Sequence, residues 1–162
     1  MEAIKRVNRI LEHPLYTKEY DHLQFLEKDR EFCRHTMEHF LDVARAGWIM
    51  NLEEDLGLSK EVMYAAGLLH DIGKGRQYEF GSPHNEAGAE IAEVILTDCD
   101  FTEEERNIIT KAILLHRKPV EADHPLIKVL YMADKKTRLC FSCPAEPGCN
   151  WSEEKKNRLI TV

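Results

Sequence analysis

The chain has 162 residues, 43% of them hydrophobic and 31% charged, with a formal net charge of −7. That length and apolar content suit one domain, 1–162, with one core. The acidic balance argues against a polynucleotide partner, which wants a surplus of Lys and Arg on at least one face, and no apolar run approaches the roughly 18 to 20 residues that span a bilayer.

Helical periodicity dominates from the first residues, where Ala3 to Leu11 reads as an amphipathic segment stopped by His13-Pro14. This start has no apolar stretch of the signal-peptide kind, so a cytoplasmic location and no membrane partner are expected. A long second helix is predicted from Glu31 to Met50, and a third from Ser59 to the Gly73-Lys74-Gly75 break. Ser82 followed by Pro83 predicts a helix with a side-chain cap and proline at its first position, running to Leu96. Thr102 and Glu105 form a capping-box pattern that starts the next, carried to His116. After Pro119 and Pro125, LIKVLYMADKKTRL is helical, and SEEKKNRLI is expected to be a short closing helix. Between these two lies the cysteine-rich loop 140–151. No segment reads as a strand. The expected architecture is all-α, a compact single-domain bundle of about six to eight helices.

Several polar residues occupy positions where the helical period calls for apolar ones. His39 falls in a row with Phe32, Thr36, Val43 and Ala46; His70 follows Val62, Ala66 and Leu69; His84 precedes Gly88, Ile91 and Ile95. His116 follows Ile109, Ala112 and Ile113, and Asp134 completes a stripe of Ile127, Leu130 and Tyr131. One such histidine is ordinarily a hydrogen-bonded core residue. Five inward-facing groups on five helices are different, because buried carboxylates and imidazoles need compensation. A divalent cation supplies it, and imidazole with carboxylate suits Fe, Mn, Co, Ni or Zn, one or two ions, with coordination positions left for water.

The stretch AAGLLHDIGK, with an upstream histidine in HFLDVARAG and a downstream aspartate in VLYMADK, resembles the HD superfamily of metal-dependent phosphohydrolases and its pattern H…HD…D. The resemblance covers residues 30–138. It implies a helical bundle of HD-domain type and makes His39, His70, Asp71 and Asp134 the metal ligands. His35, one turn before His39, rivals it for the first position; Val43 and Ala46 match the family's apolar spacing after His39, which leaves His35 as a pocket residue. His84 and His116 resemble the two extra histidines of the H…HD…H…H…D subset, which imply a second metal bridged by Asp71 or, alternatively, a phosphate-binding role.

The chemistry so implied is attack on phosphorus by a metal-bound hydroxide, on a nucleotide or other small phosphorylated metabolite. With Asp71 as the catalytic carboxylate, Lys74, just after the HD pair, is expected to neutralise the transferring phosphoryl group, and Arg117 or Lys118 beside His116 to hold a further phosphate. A solvated helix end is the alternative for the last two. Two competing readings remain: a diiron oxygenase of the same superfamily, which the six-ligand set also resembles, and a non-catalytic nucleotide- or metal-binding module.

Five cysteines, an odd number, read as reduced thiols or ligands rather than a secreted disulfide framework. Cys140, Cys143 and Cys149 give C-x2-C-x5-C, and Cys33 is the candidate fourth ligand for a structural zinc or an iron–sulfur cluster. Three thiols packed around Trp151 is the alternative. Cys99 is expected to pack as a small apolar residue.

Overall fold

His13-Pro14 is a helix start as well as a stop. His13 Nδ1 accepts from the Leu15 N–H at 3.1 Å, and Pro14 takes the first helical position, where its missing N–H is no loss. The same dipeptide recurs at His124-Pro125, with Nδ1 accepting from Leu126 N–H at 3.2 Å. The computed structural model describes residues 4–119, 121 and 123–161; Ala3, taken above as the first helical residue, lies outside them. Among the described residues there are eight α-helices and no strand: α1 (Lys5–Glu12), α2 (Pro14–Leu26), α3 (Met37–Glu53), α4 (Lys60–Leu69), α5 (Lys74–Phe80), α6 (His84–Asp98), α7 (Glu103–Leu115) and α8 (Pro125–Lys136).

The helices enclose one core. α3 lies against α4 and α8, α7 against α6, α8 and α4, and α5 against α6 and α2. Phe40, Val43, Leu68, Leu69, Ile95, Ile113 and Leu130 are fully buried between them, each contributing about 1.5–3 kcal/mol by removal from water. Cys99 is buried in the same core, as a small apolar residue would be. α3 and α4 touch backbone to backbone at Gly67, where an added Cβ would stand 2.8 Å from Ala44 N. The capping box of α7 is formed: Thr102 Oγ1 accepts from Glu105 N–H at 3.3 Å and the Glu105 carboxylate accepts from Thr102 N–H at 2.9 Å. Arg6 ties α1 to the start of α7, its guanidinium bonded to both Glu105 oxygens at 2.5 and 2.9 Å.

Four sequence expectations are corrected. α2 was not expected, because it buries only Tyr16, Glu19 and Leu23, and one of those is a carboxylate bonded to Arg76 at 2.7 Å. α5 was not expected either, because Gly73 and Gly75 read as a break; Gly75 instead lies inside α5, against His22 and Leu23 of α2. The second predicted helix starts at Met37 rather than Glu31, since Thr36 caps it and the preceding segment is drawn aside by Glu27, whose carboxylate accepts from His35 N–H at 2.7 Å. The closing segment is turns, not a helix: Asn157 Nδ2 donates to the carbonyls of Lys135 at 2.7 Å and Arg138 at 2.8 Å, so this stretch caps the end of α8 instead. A smaller shift places Pro83 at the cap of α6, with no side-chain cap bond and His84 first in the helix.

Candidate metal centre

Helix ends bring the polar residues together. His39 sits in the first turn of α3, His84 opens α6, and Asp134 lies in the last turn of α8. His70 is the C-cap of α4, with Asp71 next, and His116 is the C-cap of α7. The ends of five helices therefore converge, the C-terminal ends of α4, α7 and α8 and the N-terminal ends of α3 and α6. His39, His70, Asp71 and Asp134 each offer one ligand atom, all within 4.8 Å of one another, and Asp71, His84 and His116 form a second such group. All six residues are buried.

The hydrogen bonds at the far side of each ring fix what faces inward. His70 Nδ1 lies 2.8 Å from the Gly67 carbonyl and His116 Nδ1 2.6 Å from the Ile113 carbonyl, acceptors only, so both Nδ1 atoms carry the proton. His84 Nδ1 meets Gln77 Oε1 at 3.1 Å, and His35 Nδ1 meets Glu27 Oε1 at 2.6 Å. In its neutral form each ring thus turns a bare Nε2 lone pair inward, as metal-ligating histidines do. All four face Asp71: His35 and His70 Nε2 stand 3.3 Å from Oδ2, while His84 and His116 Nε2 stand 3.3 and 3.4 Å from Oδ1. On the other side, His39 and His70 Nε2 lie 3.3 and 3.7 Å from Asp134 Oδ1.

Lone pairs facing carboxylate oxygens repel unless something positive lies between. Protonating four imidazoles around one buried carboxylate would leave several charges out of water with too few partners. Shared cations satisfy them all. The buried His39 Nε2, His70 Nε2 and Asp71 Oδ1 make no hydrogen bond despite these short approaches, so they aim at common points rather than at each other. The residues present therefore fit a divalent ion held by His39, His70, Asp71 and Asp134, and a second on the Asp71, His84 and His116 side.

Without an ion the charges partition unevenly. Burial pushes His70 down, but Asp71 and Asp134 outweigh it and raise it to about 9. Burial pushes His39 down to about 4 and His84 to about 3, with only partial opposition from the carboxylates. Asp71 and Asp134 are held well below the usual carboxylate range: burial pushes them up, and the surrounding histidines overcome it.

Above the centre opens a cavity of about 500 Å³. Asp71 and Asp134 lie at its floor, and Lys74, Arg117, Lys135, Arg138 and Arg30 line its walls. Burial lowers the pKa of Lys74, whose Nζ bonds Gln77 Oε1 at 3.5 Å. His35 also lines the cavity and stands outside the four-atom group that contains His39. Arg117 is in the cavity, whereas Lys118 lines a neighbouring groove with Tyr131 and Trp151. Cys33 lies before α3, not in it.

Several groups escaped the sequence reading. Glu27 accepts from His35 and from the Tyr78 hydroxyl at 2.6 Å; burial pushes its carboxyl up, and these partners hold it down at about 2. Nothing in the sequence pointed to it, since α2 and α5 were themselves unseen. Gln77, which orients His84, was hidden for the same reason. Lys135 bonds Asp134, and Arg138 Nη2 lies 3.7 Å from Asp134 Oδ1. Arg138 had a signal: it follows Asp134 by four residues, one helical turn.

The HD domain family model matches residues 36–139, most of the chain and all six residues of the His/Asp centre. The chain belongs to the HD domain family. Across nearly its whole length it is also similar to an uncharacterized protein of Clostridium beijerinckii, 45% identical over 155 residues that cover 96% of this chain and 98% of that one. Ribonuclease Y of Enterococcus faecalis is 31% identical over 124 residues, 75% of this chain but 21% of that protein, so the chain spans about a fifth of its length. A crystal structure described as a predicted HD superfamily hydrolase, from an uncultured Thermotogales bacterium, superimposes with a TM-score of 0.58 at 25% identity, covering 80% of this chain and 72% of that one. The HD bundle expected above is thus the fold. Among the described residues no helix is long and apolar enough to cross a membrane.

Proposed function

We propose that the protein is a metal-dependent phosphohydrolase acting on a nucleotide or another small phosphorylated metabolite. The observation that carries this reading is the charge of the cavity: in a chain of net charge −7, five cationic side chains gather around a His/Asp floor. Such a wall suits an anionic ligand, and about 500 Å³ is the size of a small-molecule site. The HD superfamily hydrolase that this chain resembles in structure supports the reaction class. The cavity's volume favours a small substrate over a polynucleotide, in keeping with the acidic composition.

Divalent ions held by His39, His70, Asp71, Asp134, His84 and His116 would supply Lewis acidity toward a phosphoryl oxygen and a water acidified toward neutral pH. The chain's own groups do the rest. Asp71 turns one oxygen toward His70 and the other toward His84 and His116, so it would contribute to holding ions on both sides. Gln77 and the two helix-end carbonyls hold the imidazoles in the tautomer that ligates. Lys74 and Arg117 take up phosphoryl oxygens and stabilise the charge that develops on them. Glu27 holds His35 with Nε2 toward Asp71 and the reacting centre.

Phosphate release from a panel of nucleotides and sugar phosphates, with Mn, Fe, Co, Ni or Zn restored after chelation, tests the reading. Lys74→Ala is expected to lower kcat/KM about 10²-fold, the scale of one transition-state charge contact, while metal content stays at the wild-type level. Wild-type kinetics in this variant would remove Lys74 from the mechanism. Oxygen consumption with no phosphate released from any substrate would replace the hydrolase by the diiron oxygenase.

A further inference from the structure

The loop after α8 folds with little core of its own. Its large apolar side chains Leu139, Phe141, Leu159 and Ile160 are all exposed, and its regular structure is two short 3-10 turns, Cys140–Ser142 and Glu146–Gly148. Segments that bury so little apolar surface are commonly held by disulfides or metals. Its cysteines are free of disulfides. Cys140, Cys143 and Cys149 instead line one cavity of about 310 Å³ together with Cys33, which reaches it from the far end of the sequence, and Trp151 and Phe32 wall the same space. The two segments already meet there, since Arg138 donates to the Arg34 carbonyl at 3.0 Å.

Spacing distinguishes the groups these thiols fit. A tetrahedral zinc with bonds of about 2.3 Å gathers its thiolates to roughly 3.8 Å from one another. Among the described residues no three of these thiols lie within 4.8 Å of one another, whereas the His and Asp atoms of the metal centre do. A polynuclear cluster, with each thiolate on a different iron, spreads its ligands wider.

We propose that Cys33, Cys140, Cys143 and Cys149 hold a four-cysteine iron–sulfur cluster, a [4Fe–4S] cubane, that fastens the 140–151 loop to the segment leading into α3. Cys33 and Cys149 also line the cavity above the His/Asp centre, so the cluster forms part of its wall, two residues before His35. The HD pattern H…HD…H…H…D contains no cysteine, and the proposal stands whatever reaction the centre performs.

Full-length protein, purified without oxygen and reconstituted with ferrous iron and sulfide, is expected to carry about four acid-labile sulfides per chain and a broad visible absorption that bleaches with dithionite. Sulfide decides the matter, because iron held by the His/Asp centre would come without it. Cys33→Ala and Cys143→Ala, from the two ends of the chain, should each lose the sulfide and the absorption with helical circular dichroism unchanged, while Cys99→Ala, altered in the helical core, keeps both. Wild-type protein without sulfide overturns the proposal, whether it holds no metal at the thiols or a single zinc that the Cys33 and Cys143 variants lose. Sulfide retained in both variants overturns it as well.

Discussion

Asp71→Asn is expected to empty both halves of the metal centre and to lower phosphate release on the order of 10³-fold or more, without unfolding the protein. One side chain serves two groups of ligands here: Oδ2 faces His70 and His35, and Oδ1 faces His84 and His116. Asparagine keeps the shape and removes the charge that draws the cations in. In the metal-free protein Asp71 is one of the two carboxylates that raise His70 to about 9, so asparagine removes a charge partner of that imidazolium, while its Nδ2–H gains a hydrogen bond to a neutral imidazole Nε2 on the other side. Thermal unfolding of the metal-free variant should therefore remain cooperative, at or somewhat below the temperature of metal-free wild type near neutral pH. Metal analysis alongside that melt reads both effects. A variant that keeps its ions, or one that fails to fold when metal-free, would contradict the role of a shared bridging carboxylate.

Gly73→Ala should be the most damaging of the glycine-to-alanine substitutions, lowering stability by about 3 kcal/mol or more. Backbone strain is not the cause, since Gly73 has φ −78°. The cause is that the turn after Asp71 is pressed against the start of α6: an added Cβ would stand 2.2 Å from the His84 carbonyl oxygen and 2.4 Å from Gly88 N. Both are backbone atoms and neither can rotate away. α6 has to shift, and His84 shifts with it, so metal on the Asp71, His84 and His116 side should weaken before metal on the other side. Gly81→Ala is the contrasting control. It has φ 75° with nothing within 4 Å of its Cβ position, so alanine there costs about 1 kcal/mol of backbone strain and leaves metal binding unchanged. Urea denaturation of the two variants compares them directly, and equal losses would contradict the steric account.

The centre was legible in the sequence because its residues break a rule: His39, His70, His84, His116 and Asp134 stand on helix faces that are otherwise apolar, and five such breaks on five helices have a common explanation. The helices that carry them were legible for the same reason, through long apolar stripes and the Thr102 capping box. What stayed hidden depends on contacts across the chain. α2 shows little apolar periodicity, because Glu19 in its buried face is matched by Arg76 of α5, and a pairing of that kind leaves no trace in local pattern. Glu27 and Tyr78 were invisible with those two helices. The closing segment looked helical by composition, yet Asn157 serves the end of α8, a role set by where the chain returns rather than by its own period. Arg117 and Lys118 are adjacent at the end of α7 and equivalent in sequence; only the turn after His116 separates one into the cavity and the other into the next groove.

Metal titration of chelated wild-type protein, followed by calorimetry with phosphate release measured at each step, tests the account most directly. The arrangement of ligands around Asp71 predicts saturation at two ions per chain on the His/Asp centre, with phosphate release absent before metal is added and rising as the centre fills. Protein that binds no ion at these residues, or that releases phosphate equally well without one, would contradict it.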